Sequence, residues 1–277
     1  MKIRASKLGT FMTGYSCLTE SQSVEIKELR NKPKALTDNQ AIRLGYLLEK
    51  QKSENDQKLG KTSESVVREI WVENELGRRK EIQSKYLDKG IEIEEQGIDL
   101  YCDVEGVLGF KNKDRKENDY FTGECDLLIS KRVDDIKVSW DLFTFLEAEL
   151  TTSNYWQGQA YMDLWGKDKA RTVYCLLDTP DHLLLDEFRR LSWKLCCQEE
   201  DIPDQLKYEI AKNHIFTDEA FDVARSAYFP NAVVNDFVAI PAEKRVKIFE
   251  FERNQKDIEL AYKRIESGRN YYKTIKL

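Results

Sequence analysis

Between Gly123 and Tyr161 the chain carries two aspartates and a lysine in an arrangement that suits phosphodiester hydrolysis. The stretch reads Gly123-Glu-Cys-Asp126-Leu-Leu-Ile-Ser130, then Lys131-Arg132-Val-Asp134, then Asp135-Ile136-Lys137-Val-Ser139, with Gln157-Gly-Gln-Ala-Tyr161 farther on. Leu127 to Ser130 and Asp135 to Trp140 are short apolar or β-branched runs, and the polar segment Lys131 to Asp134 predicts the turn of a hairpin between them. Side chains alternate along a strand, so Asp135, Lys137 and Ser139 share one face while Ile136 and Val138 take the other, toward a core. Asp126 sits at the mouth of the first strand, where antiparallel pairing brings it beside Asp135. Two carboxylates at one point repel unless a cation lies between them, and their hard oxygens suit Mg²⁺ or Mn²⁺ rather than zinc. With Lys137 alongside, such a group can hold a phosphate oxygen, orient a water and lower its pKa for in-line attack. An acid two residues before a lysine also occurs at Glu25-Ile-Lys27, Asp56-Gln-Lys58 and Asp114-Arg-Lys116, but only the copy at Asp135 falls on a predicted buried strand.

In order and spacing these elements resemble the PD-(D/E)XK nuclease superfamily, and within it the YqaJ-like viral recombinases typified by lambda exonuclease. Upstream, Lys89-Gly90-Ile-Glu-Ile-Glu94-Glu-Gln-Gly-Ile98 is similar to the family's first-helix motif, a glycine followed four residues later by a glutamate. Downstream, Tyr155-Trp-Gln157-Gly-Gln-Ala-Tyr161-Met162 is similar to its Gln-x-x-x-Tyr motif, which puts Gln157 and Tyr161 on one helix face. The resemblance continues more weakly through Arg171 to Leu177 and the Asp178-Thr-Pro180 turn to a late strand and a long helix. Asp135 stands where many members carry glutamate, and Cys125 replaces another small residue. The resemblance implies Mg²⁺, with Mn²⁺ able to substitute, held by Asp126, Asp135, Glu94 and the carbonyl of Ile136. Lys137 would position or polarise the attacking water, Gln157 would orient the lysine or the scissile strand, and Tyr161 would touch DNA. Ile3-Arg4-Ala5-Ser6-Lys7 looks like the family's N-terminal helix start and makes Arg4, Ser6 and Lys7 candidates for a 5′-phosphate, although Ser6 equally suits a helix N-cap. The activity implied is exonuclease digestion of one strand of linear double-stranded DNA from an end, 5′ to 3′, leaving single strand for an annealing protein in phage-type recombination. A homotrimer is implied by the same route. An endonuclease of the superfamily, or a non-catalytic DNA-binding or assembly protein on a nuclease fold, stays open.

The elements that must position these residues follow from periodicity. A helix over Leu36 to Lys52 is followed by a polar stretch, Gln51 to Ser65, and by a helix from about Ser63 carrying Val66, Val67, Ile70 and Trp71. Glu92, Glu94 and Glu95 follow Gly90 on a helix whose buried side is marked by Ile91 and Ile98. Residues 98–125 read as β-rich, with Ile98 to Val107 apolar-periodic, a charged excursion over Lys111 to Asn118, and the sheet resuming at Tyr120. Arg171 to Leu177 predicts a buried strand, Leu183 to Cys197 and Glu252 to Tyr272 predict amphipathic helices, and Arg245 to Phe251 alternates as a strand. The fold expected is a three-layer, restriction-endonuclease-like α/β core, with a mixed central β-sheet flanked by helices and helical N- and C-terminal extensions. It is read as one domain over 1–277: a helical extension over 1–84, the catalytic core over 85–180, and C-terminal helices with one late strand over 181–277.

Composition bounds the rest. The 277 residues include 44 Lys+Arg and 50 Asp+Glu, a net charge of −6, so any affinity for phosphate must come from local clusters rather than the total. Such clusters occur at Arg78-Arg79-Lys80, at Lys111 to Lys116 and at Lys131-Arg132, which either flank a DNA groove or are solvated faces. The six cysteines, at 17, 102, 125, 175, 196 and 197, show no Cys-x-x-Cys spacing and no iron–sulfur arrangement, so they read as thiols. No apolar run reaches a membrane span, and Met1-Lys-Ile-Arg-Ala-Ser-Lys does not read as a secretory signal. A cytoplasmic location is expected, the host cytoplasm if the protein is viral, with no membrane partner.

Overall fold

The computed structural model describes residues 1–13, 18, 20–55, 59–80 and 84–277. In chain order the elements are β1 (Ile3–Arg4), α1 (Ala5–Met12), α2 (Glu20–Arg30), α3 (Asp38–Asn55), α4 (Lys61–Leu76), α5 (Lys85–Glu92), α6 (Glu94–Glu105), β2 (Lys116–Glu117), β3 (Phe121–Gly123), β4 (Leu127–Ile129), β5 (Arg132–Val138), α7 (Leu142–Leu146), α8 (Thr152–Trp165), β6 (Lys169–Cys175), α9 (Asp181–Leu195), α10 (Asp204–Ala211), α11 (Asp218–Tyr228), β7 (Val246–Glu252) and α12 (Gln255–Tyr272). They form two compact units, one of Met1–Lys80, Glu117–Gly123 and Asn254–Leu277, the other of Glu81–Lys116 and Glu124–Arg253.

In the first unit β1 pairs parallel with β3, Ile3 against Phe121 and Arg4 against Thr122, and α1 and α12 both pack on α4. Its centre holds a buried cation. Arg264 is 1% exposed, donates Nη2 to Ser63 Oγ at 2.9 Å, and lies against the Phe11 ring. Ser63 Oγ in turn donates to the Phe11 carbonyl at 2.7 Å, so a charge-assisted network joins α1, α4 and α12. Tyr272, from the C-terminal aromatic pair, donates its hydroxyl to Glu75 at 2.7 Å within this unit.

The second unit contains the expected three-layer core. Its sheet runs β4-β5-β6-β7, with β4/β5 and β6/β7 antiparallel and β5/β6 parallel. Helix α6 covers one face and α8 the other. Ile98, Tyr101, Leu127, Ile136, Val173 and Cys175 form the α6-side core. Helix α8 is buried from Gln157 through Met162; it starts at Thr151, whose side chain accepts from Asn154 N, and stops at Gly166 in the left-handed conformation (φ 61°). A separate core around Leu184, Phe188, Tyr208, Phe221 and Phe229 joins α9, α10 and α11.

Three expectations are corrected. The stretch from Ile98 to Val107 is mostly helix, not strand: its alternating apolar residues satisfy period two, yet burial falls on Gly97, Ile98 and Tyr101, a helical spacing. The hairpin turn is Ser130-Lys131 rather than Lys131 to Asp134, because Arg132 and Asp134 pair in β5 and Ser130 takes a positive φ of 51°. Ile91 does not mark a buried side. It is 68% exposed on α5, because the break at Ile93 separates α5 from α6 and turns Ile93 and Ile98 inward instead. Helix α3 also runs on to Asn55, into the stretch read as polar, and Cys17 lies outside the described residues.

Gly158 shows how closely α8 meets the sheet. A Cβ there would lie 2.4 Å from Phe251 Cζ and 3.2 Å from Ala170 Cβ. Gly158→Ala is expected to lower stability by about 1–3 kcal/mol through overpacking, read as a lower urea midpoint. An unchanged midpoint would mean that the Phe251 ring moves aside freely.

Candidate active site

The hairpin register sets the site. Leu127 pairs with Asp134, so the next positions outward, Asp126 and Asp135, stand opposite each other. Asp126 is fixed through its side chain, Oδ2 accepting the backbone N–H of Ile136 at 2.6 Å. Asp135 is 6% exposed, and its Oδ1 accepts from Gln157 Nε2 at 3.0 Å. The same Gln157 amide donates to Tyr161 Oη at 3.0 Å, so the i, i+4 pair on α8 acts on Asp135 as one unit. Lys137, two residues along β5 on the same face, brings Nζ to 2.7 Å from Asp135 Oδ2.

Charge on this face is poorly compensated. Burial, and for Asp126 also the charge of Asp135, holds the Asp126 carboxyl well above the usual carboxylate range. Burial likewise raises Asp135, although Lys137 opposes the shift. For Lys137, burial disfavours the ammonium, but Asp135 and Asp126 outweigh it and raise its pKa, so the lysine stays protonated. Asp135 Oδ2 is buried, and Lys137 is its one partner among the described residues, a charge-assisted contact at 2.7 Å. Two buried carboxyls that face each other with one lysine for both fit a hard divalent cation by the chemistry of their donors. Among the described residues no three His, Cys, Asp or Glu side chains are gathered at metal-binding separation. The third acid of the expected set, Glu94, is the first residue of α6 and is ion-paired with Lys111 instead.

The opposite face of β5 carries a different kind of polar group. Asp134 is fully buried; its Oδ2 accepts from Tyr101 Oη at 2.8 Å and its Oδ1 from Arg132 Nε at 2.6 Å. Arg132 and Arg171 also donate to Tyr101 Oη, each at 3.1 Å, and Arg171 reaches Glu105 and Glu250. At the far end of β5 and β6, Lys89 from α5 is 1% exposed and donates to the carbonyls of Trp140 at 2.8 Å and Leu177 at 2.9 Å, and to Thr179 Oγ1 at 2.9 Å. Burial pushes its pKa down to about 7. It ties the ends of the two strands just past Lys137.

The remaining predicted residues sort by place. Arg132 is not a free DNA-facing cation, because its guanidinium is spent on buried Asp134. Tyr161 is 5% exposed and turned to Gln157, so it lies behind Asp135 rather than on the surface. Lys131 is exposed on the tight turn. Arg4, Lys7, Arg78 and Arg79 belong to the first unit: Arg4 and Arg79 both pair with Glu73, Lys7 pairs with Glu69 at 3.2 Å, and Arg78 is exposed. Ser6 lies inside α1, exposed, and is not the N-cap, which is Arg4. Sequence reading missed Asp134, Tyr101 and Arg171. The available signal was the pair Arg132-x-Asp134 on the core face of a strand, where charges are tolerated only when paired.

The sequence matches no protein-family profile and no curated protein. Among solved structures, the chain is similar to a phage-related exonuclease from Haemophilus somnus 129PT, with 23% identity, 98% of this chain and 93% of that one covered, and a TM-score of 0.62. It is also similar to the alkaline exonuclease LHK-Exo from Laribacter hongkongensis, alone and in complex with dAMP, with 11% identity, 98% and 88% covered, and a TM-score of 0.52. At these identities the likeness is one of fold, and it spans nearly the whole chain.

Arg132→Ala is expected to cost about 3–5 kcal/mol of stability, since it leaves buried Asp134 short of its cation, while DNA affinity of the folded protein stays within a factor of two or so. A large loss of DNA affinity at unchanged thermal stability would contradict this placement.

Proposed function

We propose that this protein is a Mg²⁺-dependent deoxyribonuclease that digests linear double-stranded DNA from its ends, 5′ to 3′. The observation that carries the reading is the convergence of Asp126, Asp135, Lys137 and Gln157 at one face of a hairpin, within a fold shared with proteins described as exonucleases. Asp126, Asp135 and the carbonyl of Ile136 would hold the ion, with Glu94 as third acid once it exchanges Lys111. Mn²⁺ would serve in its place. When bound, the ion supplies charge to the phosphate oxygens and a more acidic water.

The chain's own residues do the rest. Gln157, backed by Tyr161, fixes the plane of the Asp135 carboxylate. Lys137, held protonated by the two acids, is placed to donate to a phosphate oxygen or to hold the attacking water, and it is not set up as a general base. Asp126 is oriented by the Ile136 amide. The single strand left behind would serve a strand-annealing protein in phage-type recombination, in the cytoplasm of the host cell. Assembly into a homotrimer belongs to the same proposal.

The test is digestion of linear duplex labelled at one 5′ end, beside a covalently closed circle, with Mg²⁺, with EDTA, and with Asp135→Asn protein. Release of labelled mononucleotide from the linear DNA in Mg²⁺ alone is expected, with at least a hundredfold loss in the variant. Cutting of the circle would make the protein an endonuclease, and inertness toward both substrates with Mg²⁺ and Mn²⁺ would overturn the catalytic reading.

A further inference from the structure

The loop between α6 and β2 displays two large apolar side chains to solvent, Leu108 at 93% and Phe110 at 85% exposure. Beside a candidate active site, such side chains offer apolar surface to a ligand. The loop is not loose at this point. Gly109 is pressed onto the core, where a Cβ would lie 3.1 Å from Cys102 Sγ and 3.2 Å from Leu127 Cδ2. Asn112 is tied to the strand that leads to the site: its N–H donates to the Asp126 carbonyl at 2.7 Å and its Nδ2 to the Cys125 carbonyl at 3.0 Å. Phe110 is therefore held out between two anchors, two residues before the amide that binds the Asp126 carbonyl, and the next residue, Lys111, pairs with Glu94.

Phe110 forms one wall of a cleft of 260 Å³ whose other sides are Ile98, Lys111, Lys113, Glu95 and Asp99. Glu95 and Asp99, one turn apart on α6, point two carboxylates at the same space, and neither pairs with a cation among the described residues. Of the two lysines in the lining, Lys111 is committed to Glu94 and lies in the field of Glu95, so the cleft offers carboxylate acceptors rather than a seat for a phosphate. These acceptors suit the exocyclic amino group of a nucleobase, which donates to carboxylates. An exposed aromatic face suits the flat side of the same base, and Lys113, at the cleft, suits the backbone that carries it.

On the reading of the neighbouring site as a DNA nuclease, we propose that this cleft is a nucleobase site. It takes an unpaired base of the DNA end, stacked on Phe110, with its amino group directed to Glu95 and Asp99. Cytosine, adenine and guanine carry such an amino group, and thymine does not. The cleft thereby places the strand so that the adjoining phosphate faces Asp126 and Asp135.

The test measures binding in EDTA, without cleavage, to duplexes that carry one abasic residue at each of the three terminal positions of either strand. For the wild type, one position is expected to lose about tenfold in affinity when its base is removed, and thymine there to bind more weakly than cytosine. Phe110→Ala should bind intact DNA about tenfold more weakly and show no abasic penalty, whereas Phe110→Tyr should restore both. Because Phe110 is exposed, both variants are expected to melt with the wild type. An abasic penalty of equal size in Phe110→Ala, or none at any position in the wild type, overturns the base site. A wild type that shows the Phe110-dependent penalty but never cleaves overturns the nuclease reading alone.

Discussion

Two carboxylates held opposite each other by strand register are the constraint on which the second unit turns. The β4/β5 ladder fixes Leu127 to Asp134, and this leaves Asp126 and Asp135 no choice but to meet. Each is pushed toward its protonated form by burial. The surrounding chain orients the two acids with one cation for both: an amide N–H on Asp126, and a side-chain amide and Lys137 on Asp135. Such an arrangement spends stability on a site that a divalent cation would relieve, as strained or under-satisfied groups at functional sites commonly do.

Everything around that pair makes it rigid. Strand β5 is charged on both faces, and the two faces are treated differently. Asp134, toward α6, is fully satisfied by Tyr101 and Arg132 in a network that extends to Arg171, Glu105 and Glu250. Asp135, toward α8, has only Gln157 and Lys137 and faces a second acid, Asp126. The same strand thus carries a balanced network on one side and an excess of acid on the other. Gly158 lets α8 approach the sheet closely enough for Gln157 to reach Asp135, and Lys89 fastens the ends of β5 and β6 beyond Lys137.

Much of this was legible in the sequence because it follows from period two. The alternation through Asp135-Ile136-Lys137-Val138 gives the faces, but the opposition of Asp126 and Asp135 depends on the two-residue turn at Ser130-Lys131, since a turn over Lys131 to Asp134 would set Asp135 against Ser130. The i, i+4 spacing of Gln157 and Tyr161 was equally legible, but not the direction of Tyr161, since burial all round α8 depends on the neighbours it meets in space. Arg132 could not be distinguished from a surface cation by charge alone; Asp134 is two residues on, but Tyr101, whose hydroxyl joins the two in one network, lies 31 positions from Arg132. The segment after Gly97 was misread because Ile98, Leu100 and Cys102 obey a strand period while Ile98 and Tyr101 obey a helical one, and only packing against the sheet decides between them. The basic run from Lys111 was visible as a run, but the anchoring of the loop by Gly109 and Asn112 was not.

The most direct measurement of the central claim is calorimetric titration of Mg²⁺ into the protein in buffers of different ionisation enthalpy, with Asp135→Asn as control. Raised carboxyl pKa values mean that the folded, metal-free site holds protons the unfolded chain releases. The fold is therefore favoured by these groups at low pH, and that contribution is lost as pH rises through their folded pKa values. Mg²⁺ must displace the protons, so binding should release them near neutral pH, tighten as pH rises, and vanish in the variant. Mg²⁺ binding that releases no protons and survives Asp135→Asn would place the ion elsewhere and contradict the account.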